Sequence, residues 1–235
     1  MTGTARAQTT ASRPARSTVA QVAVWRPKSG QEQHFENGYK QHLQWHKTNG
    51  DTWSWYGWYV VSGPRYGQFI DATFDHAWSD FDKAVNPAED RADNGLHTVP
   101  FGDVQTIYKI ALVPELSIGQ TGGLTSKLVR LITLSVLDTE GATQVLARLR
   151  AQYQNKQDTQ DKQGLTSFLV YRLVDGGDAN QVQLLLGFGS QEEYGKSESI
   201  FRDIRALEHG AKVKAFAGMT SETLVYRADM SLFPR

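Results

Sequence analysis

Short apolar runs alternate with amphipathic segments along the first half of the chain. Strand-like runs occupy four stretches, which are residues 19–26, 52–61, 66–74 and 104–112. Helical spacing of apolar positions predicts one helix over 29–47, capped by Ser29, and a second helix that begins at Asp75 and carries Trp78 and Phe81. Pro87 and the polar run after it are expected to end that second helix. The predicted order is β-α-β-β-α-β.

The same order recurs after a glycine-containing segment, residues 114–127. The second set of predicted strands is 128–137, 167–174, 182–188 and 223–230. Apolar residues four apart predict a helix over 140–156, and Ser190 is expected to cap another helix that holds Ile200 and Ile204. The chain therefore reads as two β-α-β-β-α-β units, the split motif of ferredoxin-like folds.

Strand 52–61 is apolar on both of its faces. Trp53, Trp55 and Tyr59 lie on one parity, and Tyr56 and Trp58 lie on the other. An antiparallel sheet with one face in water would instead alternate apolar and polar residues. Both faces must therefore be covered, which two units packed sheet to sheet would achieve.

On this element order and duplication, the chain resembles the dimeric α/β-barrel superfamily, whose members include monooxygenases and NIPSNAP-like proteins. The resemblance implies an α+β fold of two tandem ferredoxin-like repeats that form an intramolecular α/β barrel. The expected organisation is a disordered segment, a first repeat, a linker and a second repeat, over residues 1–18, 19–113, 114–127 and 128–231. Because both halves share one chain, we expect a monomer or a weak homodimer.

Composition excludes several classes of protein. The 235 residues include 25 basic and 25 acidic side chains, and this balance argues against nucleic acid as a partner. The absence of cysteine excludes disulfides and thiol catalysis, and no apolar run is long enough to span a membrane. Ala5-Arg6-Ala7 has the form of a signal-peptidase site without an apolar segment before it. Export to the periplasm and a cytoplasmic location both stay open.

The two halves differ in their chemistry. All six tryptophans and five of the six histidines fall in the first repeat, which leaves His209 alone in the second. We therefore expect a pocket for a small hydrophobic or aromatic molecule in the first repeat. The candidate ligand-binding residues are Tyr39, Trp53, Trp55, Trp58, Arg65 and His76. The alternative is that these aromatic residues only fill a large core.

Three residues are candidates for catalysis by proton transfer. His42 and His46 lie four apart on the predicted helix, and Asp71 lies within a mostly apolar strand. A buried carboxylate requires a partner, and a His–Asp pair is suited to acid–base chemistry. The histidine spacing also permits a metal site with a third ligand, for which Asp51, Asp71 and His76 are options. We expect no metal, because such histidines more often line a core or a pocket.

We also expect no cofactor. The resemblance extends to haem proteins of the chlorite dismutase type, which carry a proximal histidine on the first helix of the second repeat. Here the corresponding helix, residues 140–156, contains no histidine. Three functions are left: a binding protein for a small aromatic molecule, a cofactor-independent monooxygenase or isomerase acting on one, and a structural or interaction protein with a filled barrel.

Overall fold

A computed structural model describes residues 18–158 and 164–234. The segment expected to be disordered, apart from its last residue, lies outside the described residues. Within these described residues, eight strands make up the sheet: β1 Val19–Pro27, β2 Trp55–Ser62, β3 Phe69–His76, β4 Gly102–Leu112, β5 Leu128–Val136, β6 Leu165–Asp175, β7 Gln181–Phe188 and β8 Phe216–Tyr226.

The part of the chain that the structure describes also contains five α-helices: α1 Glu32–Thr48, α2 Pro87–His97, α3 Thr139–Asp158, α4 Gln191–Gly195 and α5 Ile200–Ala211. Short 3₁₀ helices follow β3, β4 and β8, at Trp78–Lys83, Pro114–Leu116, Thr121–Thr125 and Ala228–Met230. Among the helices that the structure describes, none has the length and apolar character needed to cross a membrane. The α+β class and the predicted order of strands and main helices are confirmed.

All eight strands belong to one antiparallel sheet. The neighbour order is β1-β3-β2-β8-β5-β7-β6-β4, and β4 pairs with β1 again, so the sheet closes on itself. Within each half the order of strands is that of a ferredoxin-like sheet. Two pairings join the halves, β2 with β8 and β4 with β6. The two halves are thus continuous through backbone hydrogen bonds at both edges.

Side chains fill the space inside the closed sheet. Tyr56, Trp58, Phe74 and Tyr171 belong to a cluster of buried aromatic and aliphatic residues contributed by all eight strands. The cavity left among them measures about 20 Å³. That volume holds about one water molecule and excludes an organic ligand. An organic ligand must therefore lie outside this central space, although a separate cavity of about 490 Å³ reaches Tyr56 and Phe74 of the cluster.

The helices cover the outer face of the sheet in two unlike ways. In the second half, α3 and α5 pack on the sheet through a large apolar cluster that includes Leu149 and Ile204. In the first half, α1 packs Phe35, Tyr39 and Leu43 against the sheet. Helix α2, all of whose residues are described, has no buried residue. Some other interaction must hold α2 in place.

The prediction for the second helix of the first half was wrong. Asp75 does not cap a helix, because it lies within β3 with a left-handed φ of 65°. Pro87 begins α2 and does not end a helix. Proline is well tolerated in the first turn, where its missing N–H would have no partner within the helix. The polar run after Pro87, read as a helix end, is the body of α2.

Strand β8 and the segment 114–127 also differ from the sequence prediction. Strand β8 begins at Phe216 and not near Thr223, because Phe216 still pairs with Val136 of β5. The segment expected to be a linker is also packed: Leu124 is fully buried in the interior cluster, and its carbonyl accepts a hydrogen bond of 3.1 Å from the indole of Trp58. This segment closes one end of the sheet's interior.

We predict that Leu124→Ala lowers the free energy of unfolding by about 2–5 kcal/mol, the usual cost of removing a fully buried leucine side chain. Leu96→Ala serves as the control, because Leu96 is 72% exposed on α2. Urea denaturation followed by circular dichroism measures both changes. Equal small effects of the two substitutions would contradict the packing of the 114–127 segment.

Candidate functional site

The buried stripe of α1 changes from apolar to polar along the helix. Phe35, Tyr39 and Leu43 pack on the sheet, whereas His42 and His46 are buried nearer the C-terminal end. Both imidazoles are almost fully buried, with side-chain exposures of 7% and 4%. Buried imidazoles need polar partners. Helix α2 and the turn after α1 supply them.

Helix α2 presents two carboxylates to His42. The Nδ1 atom of His42 forms a hydrogen bond of 2.8 Å with Asp93 Oδ2, and its Nε2 atom lies 3.2 Å from Asp90 Oδ1. Asp93 also contacts His97, whose Nδ1 lies 3.1 Å from Asp93 Oδ1. Burial lowers the pKa of His42, but the two carboxylates outweigh it, so the pKa is raised. These imidazole–carboxylate contacts therefore connect α2 to α1.

His46 continues this arrangement toward the sheet. Its Nδ1 atom lies 2.8 Å from Asp51 Oδ2, and its Nε2 atom lies 3.6 Å from Asp90 Oδ1. Acidic and imidazole groups thus alternate across the interface between α1 and α2. We call this set the His–Asp chain, and its members in order are Asp51, His46, Asp90, His42, Asp93 and His97.

Asp51 is fixed by the turn that leads from α1 into β2. Its carboxylate accepts hydrogen bonds of 2.9 Å from the backbone N–H of Trp53 and from the indole N–H of Trp55. Burial raises the pKa of Asp51, yet these donors and His46 more than compensate, so the pKa is lowered. Asp51 is therefore a charged anchor that orients His46.

A pocket of about 310 Å³ opens beside His46, on the outer side of the sheet. One wall is aromatic and consists of Trp53, Trp55 and Phe81. Ala84 and Val85 add a small aliphatic part. The polar lining residues are Gln21, His46, Asp51, Asp90 and Lys109. We call this space the His46 pocket. It has the size and mixed lining of a site for a small organic molecule.

A second cavity, of about 490 Å³, lies on the other side of Trp53. Its lining includes His76, whose ring centroid is 4.3 Å from that of Trp53. His76 Nε2 lies 2.5 Å from Thr73 Oγ1, and burial lowers the pKa of His76. Trp53 and His76 thus occur together at a cavity wall, but His76 does not line the His46 pocket.

Asp71 and Tyr39 lie apart from both cavities. Asp71 is buried beneath α1, where it accepts a hydrogen bond of 2.8 Å from the indole of Trp25. Burial raises the pKa of Asp71 to about 7, although the bond from Trp25 and the neighbouring Tyr39 hydroxyl oppose the shift. The structure places this carboxyl in a packed layer between helix and sheet.

Trp58 and Arg65 also lie away from the His46 pocket. Trp58 is part of the filled interior of the sheet. Arg65 lies in the turn after β2, at the opposite end of that strand from Trp55, and its guanidinium pairs with Glu222 through two nitrogens. The structure thus brings together His42, His46, Trp53 and Trp55, and separates them from Trp58 and Arg65.

Sequence reasoning missed the acidic residues of α2. Asp90, Asp93 and His97 follow one another at spacings of three and four, which places them on one face of a helix. The signal was present in Pro87 followed by Glu89 and Asp90, since proline and acidic residues favour the first turn of a helix. Because Pro87 was interpreted as the end of a helix, helix α2 and its acidic face were not predicted.

Comparisons with known proteins identify the fold. No protein-family model matches the sequence, and no curated protein is similar to it. Among solved structures, a proposed monooxygenase from Lactobacillus acidophilus NCFM superposes with a TM-score of 0.60 at 10% identity, covering 92% of this chain and 96% of that one. A proposed monooxygenase from Fusobacterium nucleatum gives 0.57 at 13% identity, covering 89% and 92%.

A chlorite dismutase variant from Candidatus Nitrospira defluvii gives a TM-score of 0.54 at 9% identity and covers 88% of this chain and 90% of that one. At these identities the likeness is one of fold. The chain shares the ferredoxin-like α+β architecture of these proteins along nearly its whole length.

The position of Asp71 generates a prediction for the pH dependence of stability. A carboxyl whose pKa rises from 3.8 to about 7 on folding favours the folded state below pH 3.8, and this contribution is lost as the pH rises through about 7. Asp71→Asn lacks this ionisable carboxyl, so its free energy of unfolding should not show the pH-dependent decrease that Asp71 causes. Between these pH values the wild type should lose up to about 1.4 kcal/mol per pH unit relative to the variant.

Urea unfolding of both proteins from pH 4 to pH 8 measures the difference. Asp103→Asn is the control, because the Asp103 side chain is 62% exposed. A difference between wild type and Asp71→Asn that does not change with pH would show that Asp71 titrates normally.

Proposed function

We propose that this protein binds a small aromatic molecule, neutral or positively charged, in the His46 pocket. The observation that carries the proposal is the pairing of an aromatic wall, Trp53, Trp55 and Phe81, with the His46–Asp51 pair in one space of about 310 Å³. Ligand pockets of roughly 300–1,000 Å³ with a few fixed polar groups are typical for small molecules.

The aromatic wall is suited to a planar ring. The ring of Trp53 lies 5.5 Å from that of Phe81 and 6.2 Å from that of Trp55, and both pairs are inclined to each other. A bound ring would pack against these faces and edges as aromatic groups do in protein cores. Because the indole of Trp55 is tied to Asp51, part of this wall is already held in position.

The charges at the pocket argue for a neutral or cationic ligand. Two carboxylates, Asp51 and Asp90, line the space. The only cation among the described lining residues, Lys109, is already paired with Asp175 at 3.1 Å. An anionic ligand would therefore meet net repulsion. We therefore expect neutral phenol and indole or cationic benzylamine to bind better than anionic benzoate.

Isothermal titration calorimetry with these four compounds tests the proposal, on the full chain in the presence of a chelator. We expect saturable binding of at least one neutral or cationic probe and none of benzoate. Trp53→Ala should weaken that binding by roughly two- to thirteenfold, because an aromatic contact contributes roughly 0.5–1.5 kcal/mol.

Trp78→Ala is the matched control. Trp78 lies in the same 3₁₀ helix as Phe81, is 47% exposed and does not line the His46 pocket. Binding that responds equally to both substitutions would place the ligand elsewhere. Failure of every probe would favour the third function, an interaction protein with a filled interior.

A second candidate function follows from the His46–Asp51 pair. A carboxylate 2.8 Å from Nδ1 orients an imidazole so that its Nε2 atom can accept a proton. Removal of a proton from a bound aromatic substrate is a starting step for an isomerase and for a monooxygenase that needs no cofactor. Proposed monooxygenases among the structural neighbours support this alternative. Asp71 is not part of it, because it lies outside the pocket.

We also infer that residues 19–113 and 128–231 are duplicated repeats that form an intramolecular α/β barrel. The repeated order of elements and the β2–β8 and β4–β6 pairings support this inference. Such a chain has no need of a second copy to complete its sheet.

Size-exclusion chromatography with light scattering should therefore give a mass near 26.2 kDa. Measurement over a hundredfold range of protein concentration separates a monomer from a weak dimer, whose apparent mass would rise with concentration. A constant mass of about twice that of the chain would contradict the monomeric barrel.

A further inference from the structure

Three potential metal ligands converge at the centre of the His–Asp chain. One atom each from His42, His46 and Asp90 lies within 4.8 Å of the others. Asp90 Oδ1 is 3.2 Å from His42 Nε2 and 3.6 Å from His46 Nε2. The two histidines are four apart on α1, so both imidazoles leave the helix on the side that faces α2.

We propose that His42, His46 and Asp90 bind a divalent transition-metal ion at the interface between α1 and α2. Tetrahedral coordination at metal–nitrogen distances of 2.0–2.1 Å places ligand atoms about 3.3 Å apart. The separations of 3.2 and 3.6 Å between Asp90 Oδ1 and the two Nε2 atoms are close to that value. The ligand atoms of all three residues lie within 4.8 Å of one another.

The hydrogen-bond roles of the imidazoles support a cation at this point. Each Nδ1 atom faces a carboxylate at 2.8 Å, Asp93 for His42 and Asp51 for His46. A neutral imidazole that donates from Nδ1 carries its lone pair on Nε2. Both lone pairs then point toward a carboxylate oxygen, Asp90 Oδ1. A cation bound between the three atoms, in the place that a proton on Nε2 would otherwise take, removes the repulsion between these acceptors.

Among the described residues, Asp90 Oδ1 is buried and forms no hydrogen bond of good geometry, and the same holds for Nδ1 of His46 and of His97. A buried carboxylate oxygen without a donor is costly. A metal ion would supply the missing positive partner.

The surrounding carboxylates complete the pattern. Metal-bound histidines usually donate their second ring N–H to a carboxylate, which orients the ring and increases its basicity. Asp93 and Asp51 occupy these positions for His42 and His46. Asp51 is in turn anchored by Trp53 and Trp55. Each proposed imidazole ligand is therefore oriented by a carboxylate at Nδ1, opposite the Nε2 atom that would bind the metal.

Two nitrogen ligands and one carboxylate favour a first-row transition metal over magnesium or calcium, which prefer oxygen. His46 and Asp90 also line the His46 pocket. Three protein ligands leave at least one coordination position for water or a pocket ligand. The proposal goes beyond small-molecule binding and does not depend on it, since the ion is tested without an organic ligand.

The test is a titration of the untagged, chelator-treated full chain with Zn²⁺, followed by calorimetry. We expect one ion per chain. Asp90→Asn and His46→Gln should each weaken Zn²⁺ binding by more than tenfold, because the loss of even an orienting group costs about 10–100-fold. Co²⁺ should give the intense visible absorption of a low-coordinate nitrogen–oxygen site.

Two control variants keep the site intact. Glu89→Gln changes an exposed acid next to Asp90, and His209→Ala removes an exposed histidine from α5. Both should bind Zn²⁺ within about twofold of wild type. Should His46→Gln fail to fold by circular dichroism, Asp90→Asn decides alone, because Asp90 is partly exposed. Binding that survives Asp90→Asn unchanged, or no stoichiometric binding by the wild type, overturns the proposal.

Discussion

The filled interior of the closed sheet is the constraint on which the rest of the molecule depends. Aromatic and aliphatic side chains from all eight strands leave about 20 Å³ between the inner faces. Such packing stabilises the closed sheet, since each buried large side chain contributes roughly 1.5–3 kcal/mol. The His46 pocket accordingly lies in the outer layer, between the helices and the sheet.

The outer layer is asymmetric in how its helices are held. Helix α5 buries Ile200 and Ile204 in an apolar cluster shared with α3. Helix α2 has no buried residue along its described length and contacts α1 through the His–Asp chain. Electrostatic attachment depends on protonation and on bound ions in a way that apolar packing does not. The helices of the first half thus meet through polar groups that respond to pH and ions, whereas those of the second half meet through apolar side chains.

The His46 pocket and the His–Asp chain share residues. Asp51 holds His46 by its carboxylate and Trp55 by its indole, so the same residue positions an imidazole and a part of the aromatic wall. Asp90 faces both imidazoles and also lines the pocket. Ligand binding in the His46 pocket and the protonation or metal binding of the His–Asp chain are consequently expected to influence each other.

Sequence periodicity was sufficient for the order of elements and for the buried histidine stripe of α1, because both depend on local patterns. It could not assign the faces of β2, since Trp55 and Trp58 are equally apolar and only the closed sheet puts Trp58 inside. It also missed Asp90 and Asp93. Proline looks the same in sequence whether it begins or ends a helix, and the partners of His42 become visible only when α2 lies on α1.

The position of the proton on each buried imidazole distinguishes a metal-binding site from an interface that is only packed. Long-range ¹H–¹⁵N NMR of the histidine side chains, recorded on metal-free protein in alkaline buffer where imidazoles are neutral, measures it directly. The account predicts that His42 and His46 both carry the proton on Nδ1, facing Asp93 and Asp51. A proton on Nε2 in both rings would contradict it, because Asp90 would then already have its donors.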